Sequence, residues 1–474
     1  MLRKAAATRY VSNVIGTGFT IANLFVITYL LDIYQFALWG VANSLIYIFS
    51  TIGQLTYVQY IEKYFPNYSL EKMNYYLYKF LKTIFFLTIF WLLSLYGLQA
   101  VGYFEKFNAD NMFILFTIIS ALTFIESSIE LSSKYLLALK KTEKYDLNEL
   151  LIFKFLRLVL FYILLTNGFS VYYLLLTNLI LRSLLLIRVL NFESKGIFFI
   201  LKSIFKSNIK IDNFENLSYT SLAFIIKSFK VTFLNVLFFI LTIYADNETI
   251  ANYSLGILII NNLRPIFSSL SGLLTPIIST NIAKQKNSSA LFSLVNYLNK
   301  LTIGIITLLT IYITEYQFLI EYFLESFDDN VYKIILISVF ASSITSLYTP
   351  KFLDILFSNN EKKLLRLVGL NYFFCIGLYY TFEYFYNVNI FYIYILFELT
   401  NLFLFSALYK GEKLSNYFSY SFLFIISYLG FYVYSSQLNS LILFLCLGSI
   451  IFDGVKFIKI FNKYVKIKNI NYET

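Results

Sequence analysis

Residues 246–284 read DNETIANYSLGILIINNLRPIFSSLSGLLTPIISTNIAK, and the order of residue types in this stretch decides the fold. Two acids, Asp246 and Glu248, open it in a polar turn, an apolar run fills 251–279, and Lys284 closes it. About 20 apolar residues wound as an α-helix cross the hydrocarbon core of a bilayer, and this run is long enough. Its one internal charge is Arg264, beside Pro265 and a turn after Asn261 and Asn262. Proline removes a helical hydrogen bond and favours a bend. Backbone opened at that depth is tolerated where it lines a wet cavity. The stretch therefore predicts a membrane helix that breaks beside polar space, with a guanidinium whose fork matches phosphate oxygens.

The rest of the chain repeats the pattern. Hydrophobic residues make up 58% of the 474 and charged residues only 14%, more apolar surface than a water-soluble protein can hide. Spans fall at 10–31, 35–60, 78–99, 111–137, 146–166, 169–190, 219–244, 251–279, 295–316, 333–357, 365–386, 388–409, 414–434 and 438–460, fourteen in all. Lys and Arg are retained on the cytoplasmic side of short loops, so every second connection should be basic. It is: the inner connections carry Lys63, Lys72, Lys79 and Lys82, then Lys140, Lys141 and Lys144, then Lys195, Lys202, Lys206 and Lys210. Lys284 and Lys286, then Lys362, Lys363 and Arg366, then Lys410 and Lys413 continue the series, and Lys459 to Lys468 fill the tail. The outer connections hold Lys106 and Lys333 against acids such as Asp32, Glu105, Asp110, Asp246, Glu248, Glu321 and Asp328. Both termini are thus expected in the cytoplasm. Arg3, Lys4 and Arg9 precede the first apolar run and no small-residue cleavage site follows Leu31, which reads as an uncleaved first span. The net charge of +11 lies on the cytoplasmic loops, where it suits anionic lipid rather than nucleic acid.

The expected class is an all-α polytopic membrane protein of about fourteen transmembrane helices. Residues 192–217, FESKGIFFILKSIFKSNIKIDNFENL, form a basic, partly amphipathic linker expected to lie on the inner surface. It divides the chain into a six-helix bundle (1–191), a second (218–410), and a helix pair with a basic tail (411–474). Both bundles start inside, so a duplication would give parallel repeats about an axis along the membrane normal. A faint echo supports one: FALWGVANSLIYIFSTIG (36–53) and IANYSLGILIINNLRPIFSSLSG (250–272) each place an aromatic, Trp39 or Tyr253, two residues after an alanine. Trp39 suits an outer-interface anchor.

Much chemistry is excluded. There is no histidine, so His-based metal sites, general bases and proton relays are absent, and Cys375 and Cys446 are too far apart in sequence to read as a framework. No phosphate-cradling Gly-rich loop, nucleophile elbow or zinc spacing appears, and no cofactor is expected. What remains is the set of charges buried at depth, where each costs about 2.5–3.5 kcal/mol on insertion scales and persists where it meets water, a partner or a substrate. These are Arg157, Arg182 and Arg264, with Lys227 and Lys230 nearer the inner end, against Glu126, Glu130 and Glu398. Glu126 and Glu130 are four apart on one helix face and need a cation between them or a raised pKa. They either pair with Arg157 and Arg182 or bind a coupling proton or Na⁺. The deep cations outnumber the acids, and surplus positive charge inside a membrane calls for an anionic guest such as phosphate or pyrophosphate carried on a lipid.

The chain resembles the polysaccharide flippases of the MATE-like multidrug/oligosaccharidyl-lipid/polysaccharide superfamily. The opening SNVIGTGFTIANLFVITYLLDIYQFALWGVANSLIYIFSTIGQLTYVQYIEKYF is similar to that family's first hairpin, with Trp39-Gly40, Gly53 and a charged exit at Glu62 and Lys63. KYLLALKKTEKYDLNELLIFKFLRL (134–158) resembles its fourth-to-fifth connection, and 246–284 its seventh-to-eighth hairpin. The resemblance implies two six-helix bundles around a cavity alternately open to either side, in a bacterial inner membrane. The implied substrate is an undecaprenyl-pyrophosphate-linked oligosaccharide, a repeat unit of O-antigen or another polysaccharide, turned to the outer leaflet. Arg264 and Arg157, then Arg182, are the positions that would meet the pyrophosphate. No basic residue within the first span supplies a contact from there. Membrane lipids and polysaccharide polymerase or assembly proteins are the implied partners. The alternatives are a drug or cation antiporter on the same fold, which calls for an acidic cavity, and a membrane glycosyltransferase or polymerase, which calls for a larger outer loop.

Overall fold

The computed structural model of the chain describes residues 2–54, 57–65, 68–105, 111–139, 142–191, 217–272, 361–386 and 389–408, with single positions between 322 and 352 and at 455 and 459. The linker 192–217 (but for its last residue) and the spans at 295–316, 414–434 and most of 438–460 lie outside them, and so does most of 333–357. Among the described residues the long elements are all helices: α1 (Leu2–Leu30), α2 (Ile33–Gly53), α3 (Tyr57–Tyr64), α4 (Leu70–Ala100) and α5 (Met112–Ala138). A continuous rod follows, made of α6 (Thr142–Asn148), a π-helical segment (Glu149–Phe155) and α7 (Leu156–Thr166). Then come α8 (Val171–Leu190), α9 (Leu217–Tyr244), α10 (Asn247–Gly272), α11 (Glu361–Tyr386) and α12 (Ile390–Leu408). Six of these are long and apolar enough to cross a membrane, and Ile15–Leu30 and Ile390–Phe405 are shorter apolar helices. The protein is a polytopic helical membrane protein.

The helix starts follow capping chemistry. Asp32 Oδ1 accepts from the Gln35 amide at 2.9 Å to begin α2, and Asp246 Oδ1 accepts from Thr249 at 2.8 Å to begin α10. Asn111 does the same for Ile114 at 3.3 Å. Each supplies an acceptor for an amide that has no partner within its own helix. The second span differs from its expected extent. The sequence predicts a single helix over 35–60, but α2 ends at Gly53 and α3 starts afresh at Tyr57.

The ends that charge assigns to one side lie together. The Val171 amide donates to Gln35 Oε1 at 3.1 Å, the Asn111 amide to the Tyr172 hydroxyl at 3.5 Å, and Tyr103 hydrogen-bonds Thr242 while stacking on Phe239 at 5.0 Å. All of these positions belong to expected outer turns or helix ends. At the opposite end Tyr57, Tyr60, Phe65, Phe80 and Tyr135 form an aromatic cluster, in which Tyr57 stacks on Phe80 at 4.1 Å.

The described chain groups into two compact units, Met1–Leu258 with Phe323–Val331, and Ile259–Tyr322 with Tyr332–Thr474. In the first, α5 is the central post. Its small polar face (Ser120, Thr123, Ser127, Ser128, Ser132) is buried, and Ser127 donates to the Ser50 carbonyl of α2 at 3.1 Å. Side chains this small let membrane helices approach closely and bond across the seam. Trp39 is buried, edge-on to Phe161 at 5.6 Å, rather than anchoring the interface; Trp91 stacks on Phe49 at 4.6 Å. Beside Trp39, a Cβ on Gly40 would sit 1.9 Å from Ser254 Oγ, so α2 and α10 touch backbone to side chain. Gly40 and Ser254 each follow the aromatic of the internal echo, and the two equivalent positions meet.

Candidate functional site

The charged site of the first unit is built where α5, the α6–α7 rod and α8 converge. Arg182, on α8, reaches Glu126 of α5, with Nε 2.7 Å from Oε1. Its other arm lies 3.8 Å from Glu149, the first residue of the π segment. At 14% exposure the Arg182 side chain is held between two carboxylates that are themselves 28% and 21% exposed. This is a cation with two counter-charges; its value depends on keeping all three groups together.

The π segment turns the next residues onto the same face. π-Helical turns are rare and mostly single, and they recur at functional sites because the wider ladder re-aims side chains. Here Glu149 and Lys154 are five apart, the π-helical spacing, with Phe153 beside Lys154 and Arg157 three further on along α7. Phe153, 4% exposed, is a plate between two guanidiniums: Arg182 lies 3.4 Å from its ring centre and Arg157 4.5 Å. Arg157 also lies 6.0 Å from the Phe161 ring. Ring faces attract cations through their quadrupole, which helps two like charges share one small volume. The Arg157 Nε is buried with no hydrogen-bond partner among the described residues, and none of their carboxylates comes within 4.0 Å of its side chain. Tyr145, at the inner edge, hydrogen-bonds Glu149; burial first, and that carboxylate second, hold its phenol well above its ordinary value, so it stays a neutral donor.

The structure thus brings together Glu126, Arg157 and Arg182, and separates the rest. Glu130 shares a helix face with Glu126, as expected, but no cation bridges the two: Glu130 pairs with Lys134, 3.8 Å away, and Glu126 with Arg182. Lys230 on α9 is buried at 8% exposure. Lys227 and Arg264 lie on α9 and α10, with side chains outside the described residues; α10 stays helical past Pro265 to Gly272, so the expected break is not seen there. Glu398 lies in the second unit on α12, fully buried, accepting a hydrogen bond from Tyr348. Sequence reasoning missed Glu149, Phe153, Lys154 and Tyr145. Their signal was the spacing ELLIFKFLR at 149–157, which holds an acid and two bases, but nothing in it announces a π turn. Among the described residues no cluster of side chains suits a metal ion.

No family model and no curated protein sequence matches the chain. Solved structures do. The chain is similar to "Lipid II flippase MurJ, inward closed conformation", with 12% identity and a TM-score of 0.59 over 97% of this chain and 99% of that one. It is similar to an inward-facing multidrug resistance MATE family transporter of the MOP superfamily, with 14% identity and a TM-score of 0.55 over 86% and 100% of the two chains. A MOP superfamily transporter from Pyrococcus furiosus, whose binding pocket is described as reversed in polarity, gives 13% identity and 0.54 over 90% and 96%. At these identities the likeness is one of fold, and the fold is that of the MOP transporters.

Proposed function

We propose that the protein is a flippase that carries an undecaprenyl-pyrophosphate-linked oligosaccharide from the cytoplasmic to the outer leaflet by alternating access. The observation that carries this reading is Arg157: a guanidinium deep in a membrane helix that packs on aromatic faces, with Glu126 and Glu149 in its electrostatic surroundings but no described carboxylate within 4.0 Å, beside an Arg182 that those two acids already hold. A guanidinium with no carboxylate in contact, in a cluster where bases outnumber acids, favours an anionic guest. The fold likeness to a lipid flippase supports the same class. A cation antiporter calls for an acidic cavity, and here the bases of the cluster, Arg157, Arg182 and Lys154, outnumber its acids, Glu126 and Glu149.

In this reading Arg157 meets the pyrophosphate, and Arg264, Lys227 and Lys230 are further basic contacts along the path. Arg182 shapes the site. Glu398, or Glu126 with Glu130, would serve a coupling proton or Na⁺. The bundles are 1–191 and 218–410, joined by the surface linker 192–217 and followed by the helix pair of 411–474. The protein would lie in a bacterial inner membrane with both termini cytoplasmic, alongside a polysaccharide polymerase or assembly proteins.

The test is translocation of a fluorescent lipid-linked oligosaccharide in proteoliposomes, read by quenching from one side. Arg157→Gln should lower the rate at least about tenfold, the worth of one charge-assisted contact, while Lys72→Gln leaves it unchanged. A parental rate in Arg157→Gln would remove this residue, and the argument built on it.

A further inference from the structure

Lys154 is the basic residue of this cluster that neither the deep-charge pattern nor the reading above assigns. It leaves the π segment toward α1 and lies along Gly16. A Cβ built on Gly16 would fall 2.6 Å from Lys154 Cδ and 2.8 Å from its Nζ. The missing side chain at Gly16 is therefore the space that the lysine occupies, and any other residue there would push the ammonium aside. Gly16 is itself buried, and Lys154 is only partly exposed. Its electrostatic neighbours are Glu149, Arg182, Arg157 and Asp146, yet among the described residues no carboxylate comes within 4.0 Å of Nζ. Glu149 is engaged by Arg182 and Tyr145. Lys154 and Arg157 are three apart, which puts them on neighbouring positions of one face.

We propose that Lys154 and Arg157 together form a two-point cradle for a phosphate or pyrophosphate group, opened by Gly16 of α1, while Arg182 with its two carboxylates is the fixed wall behind Phe153. This deepens the flippase reading and rests on it. The division of labour follows from partners rather than from depth. Arg182 has its counter-charges and Phe153 on its face. Arg157 offers a planar fork and Lys154 a mobile point charge, a combination suited to a group with several equivalent oxygens.

The test uses the full-length protein in detergent, with farnesyl pyrophosphate, inorganic pyrophosphate and farnesol as probes of binding by calorimetry. Lys154→Gln and Arg157→Gln should each weaken farnesyl pyrophosphate by about tenfold or more. Lys154→Arg should recover part of the loss, Gly16→Ala should weaken binding several-fold with the charge still present, and Lys72→Gln should change nothing. Binding of inorganic pyrophosphate as tight as that of the farnesyl form would identify a free anion as the guest; a marked preference for the farnesyl form identifies a lipid headgroup. Farnesol bound equally well, or no binding of either pyrophosphate by the parent, overturns the cradle. So does Lys154→Gln with parental affinity, even where Arg157→Gln has lost it; in that case Arg157 keeps its part in the flippase reading. Pyrophosphate binding that persists in a protein unable to translocate lipid-linked oligosaccharide would keep the cradle and remove the flippase.

Discussion

The polar cores of the two units solve the same problem in opposite ways. In the first, Arg182, Glu126, Glu149, Arg157 and Lys154 crowd formal charges around one phenylalanine ring, and only Arg182 has carboxylates within ion-pair distance. In the second, α11 and α12 are joined by a neutral network. The Asn371 amide donates to the Phe397 carbonyl at 3.1 Å and to Asn401 Oδ1 at 3.0 Å. Its oxygen accepts from Thr400 at 2.7 Å and from the Cys375 thiol at 3.5 Å. Glu398, one turn away, is bonded by the Tyr348 hydroxyl. Neutral groups can bond one another without any counter-charge, and such a network rigidifies a helix pair even though the Asn401 amide nitrogen has no hydrogen-bond partner among the described residues. The charged cluster leaves Arg157 and Lys154 with no described carboxylate in ion-pair contact. The lesson is that polarity at depth is not by itself a site; cations out of contact with any carboxylate are what mark one.

Four substitutions would break or sharpen that contrast. The largest effect belongs to Arg182→Leu, which strands Glu126 and Glu149 together and should cost about 3–5 kcal/mol, read as a large fall in Tm in detergent. A small fall would mean that the two acids are hydrated and the cluster is not a unit. Glu126→Gln should cost about 2–3 kcal/mol, because Arg182 keeps only the longer approach to Glu149. Stability unaltered in this variant would place the main grip on Glu149. In the second unit, Asn371→Leu takes the donor from Asn401 Oδ1, while the Thr400 hydroxyl keeps the Leu396 and Phe397 carbonyls, and should cost about 1–2 kcal/mol. Translocation at the parental rate per folded molecule is also expected there; a specific loss of transport would give the neutral network a functional role. The smallest change is Thr400→Val, about 0.5–1 kcal/mol, since shape is kept and Asn371 Oδ1 retains the thiol. An effect as large as that of Asn371→Leu would show that the network acts all or none.

Much of the fold could be read in advance because membrane insertion leaves coarse marks. Ends that Lys and Arg alone group on one expected outer side do meet, Gln35 with Val171 and Tyr103 with Thr242. The internal echo was visible as an aromatic in register, Trp39 and Tyr253; that Gly40 and Ser254 then touch needed the packed helices. Of the site, Arg157, Arg182 and Glu126 stood out because a charge at depth is expensive wherever it points. Phe153 did not, being one of 52 phenylalanines. Glu149 and Lys154 were hidden for a different reason. Glu149 lies near the inner end of its span, where charges are cheap and uninformative; Lys154 lies nearer mid-span, and a π turn without proline or glycine leaves no trace in composition to link the two.

The chain by itself determined the solvent, the helices and the side on which each loop should lie, because those follow from transfer free energies that sum along the sequence. Only the tertiary structure decided which cation is spent on which carboxylate. Pairing is a matter of a few ångströms between helices distant in sequence, and no local pattern carries that distance.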